Sequence, residues 1–509
     1  MSPLASRRQF LQTAAVGSGL TLGADWGFLT TLPRVNADEA KLDRRLVAVG
    51  DELEPLTRLV EDTPRSRLLE EVAARIRNGS ASYRQVLGAL FLAGVRNVQP
   101  RPAVGFKFHS VLVVNSCHLA SLSGPDAERW LPLFWALDYF KSAQAEESQK
   151  SGWRMTAVDE SKVPSAADAR QAFITAMDRW DVEQADVATA GIVRTLPASE
   201  VFELFAQYAA RDFRSIGHKA IYLANAWRTL QVIGWEFAEP VMRSLTFAML
   251  NHVDEPNPSS SDLDPDRPWR QNLSVIDKIP AGWLHGKVEE ATAKEFITLA
   301  RTALASDAAT AAVQTLGTGA DAVAIWDGNF VAAGELLMRQ PGIVSLHGLT
   351  TANALHYLWQ NVGDEALRKR LLLQACSFTA LFRQAAERRG ALKPTTIADV
   401  ANHAVTTDVS LDAVFADVSR DGLSAARKLQ GYLQAGGNPQ EVIDTARRLV
   451  FFKGRDAHDY KFSSAVLEDW NHLSPHWRPL FLALSVFNLK GTGHNDSALV
   501  ARTRAALSG

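Results

Sequence analysis

The feature that most constrains this chain is the spacing of its apolar residues, which recur every three or four positions. Leu68, Val72 and Ile76 show this period near one end, and Val442 and Ala446 show it near the other. Alternating patterns between Asn-Gly or Asp-Gly turns, which would indicate strands, are scarce. Hydrophobic residues make up 47% of the 509 residues, enough to bury a large core. We therefore predict an all-α fold, a single large multi-helical body.

Charge and cysteine content exclude several classes of function. Lys and Arg number 54 and Asp and Glu 56, a net charge of -2, so no basic excess is available to bind a nucleic acid. The two cysteines, Cys117 and Cys376, cannot build a disulfide framework, a zinc ribbon or a cysteine-ligated iron–sulfur cluster. A bound metal would therefore need histidine, carboxylate or less usual ligands.

The N-terminus carries an export motif. Ser6–Leu11 reads Ser-Arg-Arg-Gln-Phe-Leu, which is typical of a twin-arginine signal, and small residues at 35–37 suit a signal peptidase. We predict a signal peptide at 1–37 and a mature helical domain at 38–509, exported by the twin-arginine machinery to the periplasm or the outside. The alternative is a cytosolic N-terminal helix that carries two arginines. No apolar run is long enough to span a membrane.

Four segments that begin with a histidine recur along the chain as degenerate repeats. Their leading residues, His109, His218, His347 and His458, lie 109, 129 and 111 residues apart. Each of the first three is followed six or seven residues later by an asparagine, and the following turns open further apolar helices. We expect the four leading side chains to lie within about 10 Å of one another if they share a metal, because His–metal bonds are only about 2.0–2.1 Å long.

Helix geometry separates these histidines from two others. At about 100° per residue, positions nine apart lie on opposite faces, so His118 and His356 should point away from the shared site. On the segment that begins at His218, this residue shares a face with Tyr222, Asn225 and Thr229. Burying unpaired polar groups costs about 1–3 kcal/mol each, so this polar stripe is expected to face a cavity, water or a metal.

Short motifs around the leading histidines resemble the questin oxidase-like family. They are Phe106–His109, the His218 helix with Glu239-Pro240 after it, Leu346–Thr351, and His458–Lys461. The resemblance implies an α-helical fold and oxidative chemistry on aromatic polyketides, described as Baeyer–Villiger-like ring oxidation or oxygenolytic ring cleavage. It also implies non-heme iron held by four histidines and a carboxylated lysine. The metal ligands that the resemblance implies are His109, His218, His347, His458 and Lys461. The twin-arginine signal is foreign to the fungal members of the family, so the substrate class is not carried over.

Several alternatives stay open from the sequence. Imidazoles suit iron, copper, nickel or zinc, so iron is expected and zinc is not excluded. Lys461 supplies an anionic ligand only if its buried neutral amine reacts with carbon dioxide; otherwise its ammonium reaches solvent or pairs with a carboxylate. The first function is an exported metal-dependent oxidoreductase, a non-heme iron oxygenase acting on a small molecule of aromatic or polyketide-like type. The others are a non-catalytic helical scaffold with structural histidines and a hydrolytic zinc enzyme. No catalytic residue is assigned.

Overall fold

Helices joined by loops make up this computed structural model, which describes residues 46–100, 106–250, 255–402 and 409–508. Within these ranges no strand forms, and β pairing is limited to isolated bridges between Leu46 and Thr156 and between Lys287 and Ala320. The all-α prediction is therefore confirmed, as the three-to-four spacing requires. The predicted signal peptide at 1–37 and the first residues of the predicted mature domain lie outside the described residues.

The helices have the following bounds. The first twelve are α1 Glu54–Asp62, α2 Arg65–Arg77, α3 Tyr83–Asn97, α4 His109–Leu112, α5 Val114–Ser123, α6 Leu131–Lys150, α7 Ala169–Arg179, α8 Val182–Thr195, α9 Ala198–Ala209, α10 His218–Ile233, α11 Ala238–Met249 and α12 Arg267–Leu273. The others are α13 Glu290–Ala300, α14 Ala305–Gly317, α15 Ala322–Arg339, α16 Ile343–Asn361, α17 Glu365–Glu387, α18 Ala398–Ala401, α19 Leu411–Val418, α20 Gly422–Gln434, α21 Pro439–Lys453, α22 Ala457–Asp469, α23 Arg478–Ser485 and α24 Ala498–Ser508.

One continuous hydrophobic cluster, from Val47 to Ala506, joins these helices. Helix α16 lies deep in it, because every residue from Val344 to His356 is buried. A helix that is buried on all sides belongs at the centre of a helical protein, with its partners packed around it. None of the helices in the described ranges is long and apolar enough to cross a membrane.

Four of these helices bring the leading histidines together. His109 and His218 are the first residues of α4 and α10, while His347 and His458 lie near the starts of α16 and α22. Helix α10 packs against α4, α5 and α16, and α16 also packs against α22. The N-terminal parts of four helices that are distant in sequence therefore meet at one place in the core.

Candidate metal centre

The four leading imidazoles converge in the interior of the helical body. The Nε2 atom of His218 lies 3.1 Å from Nε2 of His109 and 3.1 Å from Nε2 of His347. The ring of His458 has its centroid 4.4 Å from that of His109 and 5.1 Å from that of His347. His109, His218 and His347 are at most 6% exposed, and the His458 side chain is 17% exposed. The sequence-predicted proximity is thus observed.

A left-handed turn places His218. Ser215, Ile216 and Gly217 have φ values of 59°, 45° and 79°, in a region that costs a residue with a Cβ about 1–2 kcal/mol. This turn brings the Ser215 carbonyl within 2.6 Å of Nδ1 of His218, which donates to it. A Cβ on Gly217 would overlap the side chain of Thr351 on α16, so glycine permits the close contact between the two helices. Local strain here is used to orient a candidate ligand.

Two other imidazoles are oriented through Nδ1 in the same way. His347 donates its Nδ1 proton to the carbonyl oxygen of Ile343, one turn earlier in α16, at 2.6 Å. His458 donates its Nδ1 proton to the carboxylate of Asp456 at 2.5 Å, and Asp456 also accepts the backbone N–H of His458 as the N-cap of α22. In both residues the Nδ1 bond leaves Nε2 free to face the centre.

The facing Nε2 atoms of His218 and His347 favour the binding of a cation between them. Because Nδ1 of each neutral ring donates to a carbonyl oxygen, each Nε2 presents a lone pair, and these lone pairs are 3.1 Å apart. Burial lowers the pKa of both imidazoles well below the ordinary value, so a proton between them is disfavoured. A bound cation would remove the repulsion between the two lone pairs.

The spacing of the nitrogen atoms also fits a metal. With His–metal bonds of about 2.0–2.1 Å, two ligand nitrogens lie about 2.9 Å apart at a right angle and about 3.4 Å apart in a tetrahedral site. The observed separation of 3.1 Å falls between these values. Ligand nitrogens of His109, His347 and His458 all lie within 4.8 Å of one another. Nε2 of His458 is buried and has no hydrogen-bond partner within the described part of the chain.

Lys461 lies beside the histidines on α22. Its side chain is 3% exposed, and its Nζ atom has no hydrogen-bond partner among the residues that the structure describes. Burial lowers its pKa to about 7, although the charge of Asp456 acts in the opposite direction. Its positive charge in turn lowers the pKa values of His218 and His347. Among the residues that the structure describes, this buried amine neither reaches solvent nor pairs with a carboxylate.

A small cavity of about 10 Å³ adjoins Lys461. This volume is at the lower limit of what one water molecule occupies. Polar side chains from three other helices line it together with Ser464 of α22: Ser116, Asn225, Arg228, Thr350 and Asn353. Ile221, Ala354 and Ala465 complete the lining, so the space beside the amine is partly polar and can supply hydrogen bonds to a group added there.

His118 and His356 lie outside the cluster, as the helix geometry predicts. Nδ1 of His118 is 3.1 Å from the hydroxyl of Tyr83. The ring of His356 packs against Trp326 and His472, with centroids 4.7 Å and 4.8 Å away. Burial lowers the pKa of both imidazoles, so both are neutral packing residues at neutral pH.

The polar stripe on α10 is only partly as predicted. Asn225 donates to the carbonyl of Leu112 and reaches the cavity beside Lys461. Thr229 instead bonds back to the carbonyl of Asn225, and the Tyr222 ring packs edge-on against Phe108, with centroids 5.0 Å apart. Asn225 and Tyr222 thus connect α10 to neighbouring segments, whereas the Thr229 hydroxyl bonds within α10.

Sequence reasoning missed Asp456, whose carboxylate accepts the Nδ1 proton of His458. A signal for it exists in the sequence: Asp456 and Asp459 have the spacing of a capping box at the start of α22. An N-cap carboxylate two residues before a histidine in the first turn can reach both that residue's backbone N–H and its ring. The carbonyl partners of His218 and His347 have no such signal, because they belong to the backbone.

No family model, curated protein or solved structure matches this chain. Fold and site together define an all-α protein with a buried cluster of histidines. In this cluster His109, His347 and His458 form a group able to hold a metal ion.

Proposed function

We propose that this protein is a metal-dependent oxidoreductase, a non-heme iron oxygenase that acts on a small organic molecule. Its iron would be held by His109, His218, His347, His458 and Lys461. The observation that carries the proposal is the pair of Nε2 lone pairs of His218 and His347, which face each other across 3.1 Å with no proton favoured between them.

The number of donors favours iron over zinc. Structural and catalytic zinc sites have four ligands, of which at most three come from the protein when the site is catalytic. Four imidazoles and one lysine-derived group would instead supply five donors, more than a zinc site takes from the protein. Iron held by these residues would supply the activation of dioxygen.

Lys461 would contribute as a carbamate. A neutral amine adds carbon dioxide by forming an N–C bond and releasing one proton, and burial lowers the pKa of this amine to about 7, so that a substantial fraction is neutral near pH 7. The product carries a negative charge, which would help to stabilise a higher oxidation state of the metal. Hydroxyl and amide groups of Ser116, Asn225 and Thr350 are available in the adjoining cavity to bind its oxygens.

The chain's other residues orient the ligands and exclude water. Ser215 and Ile343 hold their imidazoles through carbonyl oxygens, and Asp456 holds His458 through a carboxylate. Such partners fix which ring nitrogen is free to bind metal. The histidine motifs resemble the questin oxidase-like family, and we therefore propose an aromatic or polyketide-like small molecule as the first substrate class to test, although the export signal departs from the fungal members.

Metal content tests the proposal. The unmodified protein, produced in iron-replete medium, is expected to retain iron. His218→Ala and His347→Ala are expected to lose it while keeping the helical circular dichroism of the parent. His118→Ala and His356→Ala are matched controls, because they remove buried histidines from two of the four segments without touching the cluster.

Each alternative predicts a different result in these samples. Zinc in place of iron would favour the hydrolytic enzyme, and no metal in any sample would favour the scaffold with structural histidines. Metal lost from His118→Ala and His356→Ala, but kept in the other pair, would mean that the opposite helix faces bind it.

We also propose that the chain is exported by the twin-arginine machinery. The support is the Ser6–Leu11 motif in the sequence. Changing both Arg7 and Arg8 to Lys should leave the precursor in the cytoplasm, whereas Arg34→Lys, outside the motif, should not. Cell fractionation followed by immunoblotting measures this. Normal export of the double variant would refute the assignment.

A further inference from the structure

A cleft of about 600 Å³ lies between several loops and helix ends, and none of the candidate metal ligands lines it. Its lining comes from the end of α15, the loop that joins α17 to α18, the junction between α19 and α20, and the segment that follows α23. Small-molecule sites in proteins have volumes of about 300–1,000 Å³. We call this feature the α19–α20 cleft, and its size fits a small ligand.

Part of the lining is apolar. Val418, Leu423 and Phe487 line the cleft and are only half-buried, so they present apolar surface to a ligand. The Phe487 ring packs against the start of α20, where a Cβ on Gly422 would lie 2.8 Å from it. We call these three side chains the apolar patch. It favours a ligand with an apolar part, because removal of apolar surface from water lowers the free energy.

The charged side chains that line the cleft are mostly basic. They are Lys393, Arg420 and Lys490, against the single acidic residue Asp421. Asp421 is the N-cap of α20, and its Oδ1 atom accepts the backbone N–H groups of two residues in the first turn. Lys393 is exposed, and within the described ranges its ammonium has no carboxylate partner. The cleft therefore offers a positive charge that no described side chain neutralises.

The other two cations pair with carboxylates that lie outside the lining. Arg420 binds Asp417 at 3.1 Å, and Lys490 binds Asp459 at 2.7 Å. Burial lowers the pKa of His494 in the lining, and the positive charge of Lys490 lowers it further, although Asp459 acts in the opposite direction. Phosphate is commonly held by the forked N–H groups of arginine, and the arginine in this lining already has an acidic partner. A single carboxylate is therefore the better match.

Two polar groups in the lining lack hydrogen-bond partners. Oγ1 of Thr395 and Nδ2 of Asn488 are buried, and neither has a partner in the part of the chain that the structure describes. Buried polar groups cost free energy when they are left unpaired, so such groups are nearly always satisfied in proteins. Both groups can donate a hydrogen bond, and the oxygens of a carboxylate accept them.

We propose that the α19–α20 cleft binds a small organic acid, with one carboxylate on an apolar body about the size of a single ring. The body lies against the apolar patch. The carboxylate accepts hydrogen bonds from Thr395 and Asn488 and pairs with Lys393. The inference needs no metal, so it goes beyond the proposed function and is tested separately from it.

Titration of the full chain with benzoate, followed by ligand-observed NMR at low ionic strength, tests the proposal. Benzamide keeps the ring and lacks the charge, whereas acetate keeps the charge and lacks the ring. Each should bind at least about tenfold more weakly than benzoate. Absence of benzoate binding up to about 10 mM would overturn the proposal, and so would tighter binding of inorganic phosphate than of benzoate.

Three variants remove the proposed contacts one at a time. Lys393→Gln should weaken benzoate binding about tenfold, because it removes the unpaired charge. Thr395→Val and Asn488→Leu should weaken it severalfold without lowering the free energy of unfolding, because the polar groups that they remove have no described protein partner to lose. A purely structural role would instead lower the free energy of unfolding and leave binding unchanged.

Lys287→Gln is the matched control. Lys287 is also an exposed lysine between helices with a hydrogen-bonded backbone, but it lies outside the cleft, so its replacement should leave binding unchanged. Binding that is undiminished in Lys393→Gln and Thr395→Val would overturn the proposal. Circular dichroism equal to that of the parent shows that a variant is folded; if Asn488→Leu fails this requirement, the other two variants decide the result.

His218→Ala separates the cleft from the metal centre, because carboxylates also bind metal ions. This variant should bind benzoate as tightly as the unmodified chain does. Binding that is lost in His218→Ala but kept in Lys393→Gln would overturn this inference and support the metal centre. Unmodified protein that contains no metal, yet binds benzoate through Lys393, would refute the proposed function and leave this inference standing.

Discussion

At the scale of single residues, Asp456 shows how one carboxylate can set the state of a candidate ligand. It caps α22 through the backbone N–H of His458 and accepts the Nδ1 proton of the same residue. The hydrogen bond from His458 lowers the pKa of Asp456 to about 2, although burial opposes this shift. Asp456 is therefore ionised at neutral pH, and its negative charge favours a metal cation at the ring nitrogen of His458 that faces the centre.

Asp456→Asn is expected to weaken iron binding by about 10–100-fold, because an amide oxygen still accepts the capping hydrogen bond but carries no charge. Competition with a chelator of known affinity measures the change. Asp459→Asn is the matched control, since Asp459 belongs to the same capping box and makes an ion pair with Lys490. Equal weakening of iron binding in both variants would mean that the capping of α22, rather than the negative charge of Asp456 beside His458, is responsible.

At the scale of secondary-structure elements, the turn before α10 is the most constrained connection to the site. Ser215 and Ile216 hold left-handed conformations that their side chains disfavour. The contact between Gly217 and Thr351 brings this turn against α16, the helix that carries His347. Two of the candidate ligands are thus positioned by one helix–helix contact.

Gly217→Ala should destabilise the protein by about 3 kcal/mol and reduce its metal content. About 1–2 kcal/mol arises from the left-handed backbone, and the remainder from overlap with Thr351. Urea unfolding and elemental analysis measure the two effects. Gly319→Ala provides the comparison, because Gly319 also has a positive φ, 93°, but a Cβ there meets no atom within 4 Å. A Gly319→Ala variant as unstable as Gly217→Ala would rule out the overlap as the cause.

At the scale of the whole molecule, the all-α body buries many imidazoles in neutral form. Burial lowers the pKa of His118 to about 4 and that of His356 and His472 below the ordinary value. At pH values between the pKa of such a histidine in the folded chain and its pKa in the unfolded chain, only the unfolded chain binds the proton. The free energy of unfolding therefore rises with pH in that interval. These groups contribute their full stability above about pH 6.5, and this stability is lost as the pH falls.

The metal-free protein is therefore expected to lose stability steadily from about pH 6.5 to pH 4. For His118 alone, the shift from 6.5 to about 4 corresponds to a loss of about 2 kcal/mol at pH 5. His118→Gln should make the loss of unfolding free energy between neutral pH and pH 5 smaller by about this amount, so that the slope against pH is shallower. His285→Gln, at an exposed histidine, should not. An unchanged slope in His118→Gln would show that the residue is protonated in the folded chain.

The helical class and the directions of several side chains followed from local sequence. The three-to-four spacing of apolar residues fixes the helices, because each turn places such residues on one face. The same geometry placed His118 and His356 away from the histidines that lead their segments, and the structure agrees. A repeated histidine motif also identified the four residues that meet.

Only the tertiary structure decided the distances and protonation states at the site. Nε2 of His218 lies 3.1 Å from Nε2 of His109 and from Nε2 of His347, which are 109 and 129 positions away in the sequence. This proximity depends on how α4, α10 and α16 pack. The low pKa of Lys461 depends on its complete burial, and the ionised partner of His458 on the cap of α22. Periodicity fixes where a side chain points around its own helix axis, whereas separation and desolvation are set by the packing of helices distant in the chain.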